Sequence, residues 1–285
     1  EFIKKSPTAY QAVETMSDRF IKEGFTRLYE EERWKLIPGG RYFVTRNSSA
    51  IIAFSIPEKK TEPSNKKVLI YTAISGFYEV PTDNFEHKDG YDYVLLSDEG
   101  LNVKSWRCFK VDFNNAEGLS VIKKARFLKT HPHTLFKDDY DAVVYVDCNT
   151  SIDERLYNYI EKHINNPITF KLHNDRQCLY DEIMACYYAK KEDTGVLLKL
   201  YDRYVREGYP RINDLIETNV IIYHHKDPRV GNLLNKWWEE ICNYSHRDQL
   251  SLNYVIWKNN FSDFITSVQT FDFPSKAHQK IQIIN

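Results

Sequence analysis

Asp141-Ala142-Val143-Val144-Tyr145-Val146-Asp147-Cys148-Asn149-Thr150-Ser151-Ile152 is the stretch on which the reading of the fold turns. Its apolar run, with an acid before it and Asp-Cys-Asn after it, predicts a buried strand that delivers polar side chains to the lip of a sheet. The delivered pair is Asp147 and Asn149, a carboxylate and an amide whose oxygens suit a hard divalent cation. The same residues also suit an Asx turn or a helix N-cap after the strand.

Outward from this strand, the pattern alternates. Val68 to Ile74 is a continuous apolar run ending at Ser75-Gly76, Tyr93 to Leu96 ends at Ser97-Asp98, and Trp106 to Val111 alternates as a further strand. Ser120 to Thr130 has helical periodicity, with Lys123, Lys124, Arg126 and Lys129 spread around it; on spacing alone these are a solvated face. Beyond Ile152, helices are predicted to His163, over Cys178 to Ala189, over Thr194 to Arg206, over Leu233 to Tyr244 and over Asp248 to Lys258. Strands are predicted at Ile168 to Leu172 and at Asn219 to Tyr223, the latter preceded by Glu217-Thr218 and followed by His224-His225. The economical architecture is an α/β/α sandwich around a mainly parallel sheet.

A chain of 285 residues with a formal net charge of −1 gives no global reason to expect nucleic acid or a membrane surface as partner. No apolar run approaches the ~18 residues of a transmembrane helix, and no signal peptide opens the chain. The first residues look mid-element, so an upstream segment is compatible with the sequence. Cys108, Cys148, Cys178, Cys186 and Cys242 are scattered and odd in number, which suits reduced cytoplasmic thiols better than a zinc knuckle or a disulfide framework. The 20 Tyr, 16 Phe and 5 Trp are generous, and aromatics serve both cores and sugar-binding faces.

The N-terminal part has its own organisation. Ser6-Pro7-Thr8 opens a helix carrying Tyr10, Val13, Met16 or Phe20, and Ile21, which Gly24 stops. Tyr42 to Thr45 and Ala50 to Phe54 flank Arg46-Asn47-Ser48-Ser49 as a hairpin. Residues 58–66 have linker composition, separating an N-terminal segment, 1–57, from a main domain, 67–285.

Ser6-Pro7-Thr8 with Ala12-Val13, Trp34, Pro38-Gly39-Gly40, Tyr42-Phe43, Thr45-Arg46-Asn47 and Ile52-Ala53-Phe54 resemble the opening of the aspartyl aminopeptidases, dizinc exopeptidases, over about residues 2–57. In that family the next element carries a His-x-Asp metal motif, which is expected to be missing beyond Pro57, and without its metal site a two-zinc hydrolase has no means of orienting its bridging water. The segment is then a scaffold fragment or a docking module.

A second resemblance covers about residues 68–258. Tyr71-Thr72-Ala73-Ile74 with Gly76 and Tyr78, Ser97-Asp98, Ala125-Arg126-Phe127-Leu128-Lys129, Pro132-His133 and Asp147 to Ile152 carry its first half. His173 with Arg176, Cys178 to Glu182, Gly208-Tyr209-Pro210, Glu217 to Val220, Trp237-Trp238-Glu239 and Ser245 to Ser251 carry its second. These motifs resemble the glycosyltransferase-like family that includes plant mucilage and pectin biosynthesis proteins and bacterial capsule-type proteins. The resemblance implies a GT-A-like fold and transfer of a hexosyl unit from a nucleotide diphosphate sugar to a glycan acceptor. It also implies a divalent Mn or Mg, with Asp147 and Asn149 as metal ligands.

On the same footing, Thr72, Ala73, Ser97, Asp98, Arg126, Lys129, Asp147 and Asn149 are donor-binding candidates. His173, Arg176, Glu217, Thr218, Arg247 and Gln249 are acceptor-binding candidates, and Asp181, Glu182 and Asp248 are candidates for the chemistry. Adjacent Asp181 and Glu182 on a helix point about 100° apart, so one of them faces a site. Asp248 has the alternative of capping a helix. Two histidines at a strand end, His224 and His225, point to opposite faces, and Trp237-Trp238 belongs to the core. A noncatalytic glycan-binding protein and an aminopeptidase-related protein without its metal site are the competing expectations.

Overall fold

The computed structural model describes residues 8–37, 39–56, 66–76, 81, 83–113, 118–137 and 140–269. Ser6-Pro7, Pro38, the linker residues up to Asn65, and Tyr78 lie outside the described residues. The chain forms two compact units, residues 1–65 and 66–285.

In the first unit, helix α1 (Ala9–Lys22) starts at Thr8, whose side chain accepts the Gln11 amide. Val13 and Ser17 are buried, whereas Tyr10 and Ile21 are exposed. The inward stripe is therefore Val13, Met16, Ser17 and Phe20, the i, i+3, i+4, i+7 set. Strands β1 (Thr26–Leu28), β2 (Arg41–Arg46) and β3 (Ala50–Ser55) form one sheet, with β2 and β3 as the expected hairpin. Asn47 and Ser48, at φ 52° and 51°, are the central residues of a turn closed by the Ser49 amide on the Arg46 carbonyl at 3.1 Å. Strand β1 pairs parallel to β2, a pairing its three residues do not announce.

The second unit holds the expected sandwich. Its strands are β4 (Val68–Ile74), β5 (Tyr91–Ser97), β6 (Arg107–Lys110), β7 (Ala142–Val146), β8 (Ile168–Leu172), β9 (Ile216–Tyr223) and β10 (Ile265–Val268), ordered β10-β8-β9-β7-β4-β5-β6. Its helices are α2 (Val121–Thr130), α3 (Pro132–Leu135), α4 (Glu154–His163), α5 (Leu179–Tyr188), α6 (Thr194–Arg206), α7 (Pro228–Asn243) and α8 (Leu252–Lys258). Alternate residues of β4 and β7 divide between two cores: Leu69, Tyr71, Val143 and Tyr145 pack with α2 and α5 to α8, and Ile70, Val144 and Val146 pack with α4. Burial on both faces is why these strands read as unbroken apolar runs.

Strand β9 is antiparallel to both β7 and β8, so the sheet is mixed. Its first residues therefore lie at the same edge as the last residues of β4, β5, β7 and β8. Chain order also reverses there: after β4 the sheet grows through β5 and β6, then returns to place β7 on the other side of β4. Crevices for ligands form at such a switch point, outside the carboxyl ends of the strands. Gly76 turns the chain there at φ +67°, and a Cβ would stand 2.9 Å from Val121 Cγ1.

Several boundaries differ from expectation. Helix α7 begins at Pro228, because Asp227 accepts the Arg229 amide and proline fits the first turn. Glu217 and Thr218 lie inside β9. Asp248–Leu250 is a separate 3₁₀ turn before α8, and Asp248 caps no helix.

The Asp248 side chain is committed elsewhere. It is 5% exposed and accepts from Lys129 Nζ at 2.6 Å and from Thr218 Oγ1 at 3.0 Å, while Trp237 Nε1 donates to its backbone carbonyl at 2.9 Å. Arg126 Nε stands 3.2 Å from its other carboxylate oxygen. The Lys129 carbonyl accepts from the hydroxyls of Tyr71 at 3.0 Å and Tyr223 at 3.1 Å. Burial alone would raise the Asp248 pKa, but Arg126, Lys129 and Thr218 outweigh it and hold the carboxyl well below the carboxylate range.

Leu69→Ala, in the fully buried β4, is expected to cost about 2–5 kcal/mol in urea unfolding, and Leu198→Ala, on the exposed face of α6, within about 0.5 kcal/mol. Lys129→Met leaves Asp248 buried with one cation fewer and is expected to cost about 3 kcal/mol or more. Because the Asp248 pKa is depressed on folding, its contribution is present above the unfolded value near ~4 and is lost as pH falls below it. Acid titration of stability in wild type and Asp248→Asn should therefore diverge above that pH and converge below it.

Candidate functional site

At the β7 end the chain turns sharply: the Thr150 amide donates to the Asp147 carbonyl at 2.8 Å, and the Asp147 amide donates to the Asn219 carbonyl of β9 at 2.8 Å. The turn lifts Asp147 to the edge with its side chain 34% exposed. The Tyr145 hydroxyl donates to Asp147 Oδ1 at 3.0 Å, and Lys129 Nζ lies 3.8 Å from the same oxygen. Tyr145 precedes Asp147 by two residues and so shares its face of the sheet. That spacing is the signal by which sequence could have found it.

Asp147, Lys129, Arg126, Asp248 and Thr218 thus form one cluster drawn from β7, α2, the 3₁₀ turn and β9. Lys129 is 1% exposed in its side chain, which makes it an internal counter-charge. Arg126 is 22% exposed, and its pKa is raised: burial opposes this, and Asp248 leads the groups that outweigh it. Around the cluster, several buried side-chain atoms have no hydrogen-bond partner among the described residues. They are Asn149 Oδ1 and Thr150 Oγ1 in the turn, Asn219 Oδ1 in β9, and Arg247 Nε and Gln249 Nε2 beside Asp248. Each such group costs about 1–3 kcal/mol when left unmade. They concentrate at one sheet edge, where an added polar group would find partners.

Asp98 forms a second nest at the end of β5. It accepts from Ser75 Oγ at 2.7 Å, the Gly76 amide at 3.0 Å and Lys124 Nζ at 3.1 Å. Burial raises its pKa, but these donors together bring it below the usual value. Ser97 is buried and accepts the Glu99 amide at 3.1 Å. Thr72 and Ala73 are buried within β4, so their side chains belong to the sheet interior. Of the α2 cations, Lys124 is the one that reaches the Asp98 nest.

The third group lies at the ends of β8 and β9. His173 Nδ1 accepts the amides of Asp175 at 3.0 Å and Arg176 at 3.1 Å. Burial lowers the His173 pKa and Arg176 adds to it, so the ring is neutral near pH 7. An Arg176 guanidinium nitrogen lies 2.7 Å from the other ring nitrogen, Nε2. Arg176 Nε also pairs with Glu182, which is buried, and Lys171 pairs with Glu217. Asp181, on the exposed side of α5, is not brought to this group.

His224 meets the Ile164 carbonyl and His225 is buried, both at the opposite end of β9. Trp237 is fully buried, its indole N–H on the Asp248 carbonyl.

Among the described residues, no three His, Cys, Asp or Glu side chains cluster closely enough to hold a metal by themselves. The Asp147 carboxylate and the orphaned Asn149 amide oxygen do fit an ion that completes its shell with water and phosphate oxygens, as Mg and its like do. The tripeptide His-x-Asp, a metal motif of the aminopeptidases, does occur, at His87-Lys88-Asp89, His173-Asn174-Asp175, His225-Lys226-Asp227 and His246-Arg247-Asp248. None is part of a metal cluster: His87 stacks on Tyr93 and contacts the Ser105 carbonyl at 2.8 Å, and His173 accepts backbone amides. No helix among the described residues is long and apolar enough to cross a membrane.

Comparison with known proteins gives two results. The aminopeptidase I zinc metalloprotease (M18) profile matches residues 2–107. Aspartyl aminopeptidase 1 of Schizosaccharomyces pombe is 46% identical over 111 residues, 37% of this chain and 22% of that protein. The chain thus spans about a quarter or less of the length of such curated relatives. Among solved structures, the WbbM bifunctional glycosyltransferase is similar at 13% identity and a TM-score of 0.43, over 79% of this chain and 43% of that one. The galactosyltransferase LgtC, solved with donor and acceptor sugar analogs, is similar at 12% identity and a TM-score of 0.39, over 70% and 73%. The TOD1/MUCI70 glycosyltransferase-like domain profile matches residues 77–282. By that match, which takes in most of the chain, this protein belongs to the TOD1/MUCI70 glycosyltransferase-like family.

Proposed function

We propose that the second unit transfers a hexosyl group from a nucleotide diphosphate sugar to a glycan acceptor, in the crevice between β4 and β7. The observation that supports this best is the gathering of Asp147, Arg126 and the orphaned polar atoms of Asn149, Thr150, Asn219, Arg247 and Gln249 at that switch point. Hydroxyls and phosphate oxygens are the ligand groups that satisfy such a set.

In this reading the donor diphosphate lies against the Asp147 turn. Asp147 and Asn149 would hold a Mn or Mg ion, which when bound offsets the charge that develops on the departing diphosphate. Arg126 supplies a fixed cation to the phosphates, and its planar fork is held in place by Asp248. Asp248 is a positioning residue: buried, bonded and held ionised, it is poorly suited to accept a proton and well suited to fix Arg126 and Lys129. Lys129 in turn keeps Asp147 oriented through their 3.8 Å approach. The Asp98 nest, at the end of β5, receives the nucleoside side of the donor.

His173, Arg176, Glu182 and Glu217 face the acceptor. The guanidinium of Arg176, set between His173 and Glu182, offers N–H donors to an acceptor hydroxyl, and Glu182 is the carboxylate placed to take its proton. The N-terminal unit is a scaffold fragment in this reading, with the chemistry carried by the second unit. A noncatalytic glycan-binding protein would bind oligosaccharide without dependence on nucleotide or metal.

Asp147→Ala is expected to lower UDP-sugar hydrolysis and transfer by about 10²-fold or more while leaving the circular dichroism spectrum unchanged; wild-type turnover in this variant would remove Asp147 from the donor site. In a thermal-shift screen of UDP-, GDP-, CMP- and dTDP-sugars, one donor with manganese is expected to raise Tm by several degrees at about 100 times its Kd. A flat response across all four counts against the transferase reading.

A further inference from the structure

Beside the acceptor side of the candidate site there is a cleft of about 260 Å³ between the ends of β8 and β9, α8 and β10. Its walls include Asn213, Asp214, Trp257, Ser262 and Ser267, with Leu172, Ile216 and Ile256 as apolar floor. Among the described residues no lysine or arginine lines it, and the cation beside its indole wall is Lys258, whose Nζ stands 6.0 Å from the Trp257 ring centroid. The volume is below the ~300 Å³ at which pockets for drug-sized ligands begin. One or two small rings fill such a space.

The cleft's shape is imposed from within. Asn253 Oδ1 accepts the Ile216 amide at 3.0 Å and its Nδ2 donates to the Asp214 carbonyl at 2.6 Å, so α8 pins the segment leading into β9. Trp257 is half-buried and braced edge-on by Tyr209, with interplanar angle 90° and centroids 5.4 Å apart. An indole braced in this way is a rigid surface, and the electron-rich face of such a ring suits the C–H face of a pyranose. Asn213, Asp214, Ser262 and Ser267 supply the mixed donors and acceptors that ring hydroxyls require.

Ile216 and Thr218 alternate onto the same face of β9, two residues and about 7 Å apart. Thr218 is bonded to Asp248 at 3.0 Å, so the cleft and the charged cluster are neighbours on one face of the sheet. We infer that this cleft is a subsite for a neutral pyranose unit of the acceptor glycan, one or more residues removed from the unit that is extended. The exposed Asp214 carboxylate selects against uronate units. The inference rests on the transferase reading for its role, but the binding itself requires neither donor nor metal.

The test is titration of the ¹⁵N-labelled protein with cellotetraose, maltotetraose and mannotetraose, and with tetragalacturonate as the acidic comparison. The Trp257 indole resonance is assigned by its disappearance in Trp257→Phe. At least one neutral tetrasaccharide is expected to shift it, with tetragalacturonate at least tenfold weaker. Asp214→Ala, at an exposed position that leaves folding intact, should weaken the neutral ligand about tenfold, the loss of one charge-assisted hydrogen bond. Asp147→Ala should leave the titration unchanged. No shift at Trp257 with any neutral ligand, or tighter binding of the uronate, overturns the subsite. A Trp257 shift in a protein that fails the nucleotide-sugar screen would retain the subsite and overturn only the transferase reading.

Discussion

The buried pair of Lys129 and Asp248 is the interaction on which the second unit's working edge depends. An ammonium at the end of α2 and a carboxylate in a 3₁₀ turn some 119 residues later are brought to 2.6 Å inside the protein. Neither would tolerate that burial alone. Their pairing obliges α2, β9 and the segment after α7 to meet at one point. It also leaves the second oxygen of Asp248 to hold Arg126, and leaves Lys129 close enough to influence Asp147. Stability and site geometry therefore share one network, so that the groups at the edge are held by side chains that are themselves locked.

The division of labour among the acids follows from burial. Asp248 and Glu182 are nearly inaccessible and tied to cations, Asp147 is partly open, and Asp181 is on the far side of its helix. Four carboxylates that look equivalent in sequence thus have three kinds of environment. The folded chain separates them by the charges and solvent each one meets.

Much of the sandwich was legible in the sequence because a doubly covered sheet writes itself as unbroken apolar runs, of which Val68–Ile74 and Ala142–Val146 are the clearest. The edge residues Asp98, Asp147 and His173 were legible for the same reason, each following such a run. The direction of β9 was not legible, since Asn219 to Tyr223 reads alike in either direction and is set by which neighbours it pairs with. Lys129 read as a solvated helix cation, because nothing local to α2 announces a carboxylate near residue 248. Asp248 read as a candidate for the chemistry or as a helix cap, and its burial against Lys129 went unseen for the matching reason: its partner is remote in sequence. Thr72 and Ala73, singled out by resemblance, lie within β4 where alternation points their side chains into packed layers.

The reversal of β9 has a consequence for how such an edge can change. Everything contributed by β4, β5 and β7 arrives at the end of a strand and leads into a turn packed beneath a helix. What β9 contributes arrives at its beginning, at the close of the connection from α6 that runs through Gly208-Tyr209-Pro210 to Leu215. Connections of this kind accept insertions and substitutions more readily than the turns of a central sheet. One half of the edge can therefore be rewritten in length and composition while the other half keeps its geometry. A single sheet in this arrangement can conserve what it does at one end of a reaction and vary what it accepts at the other.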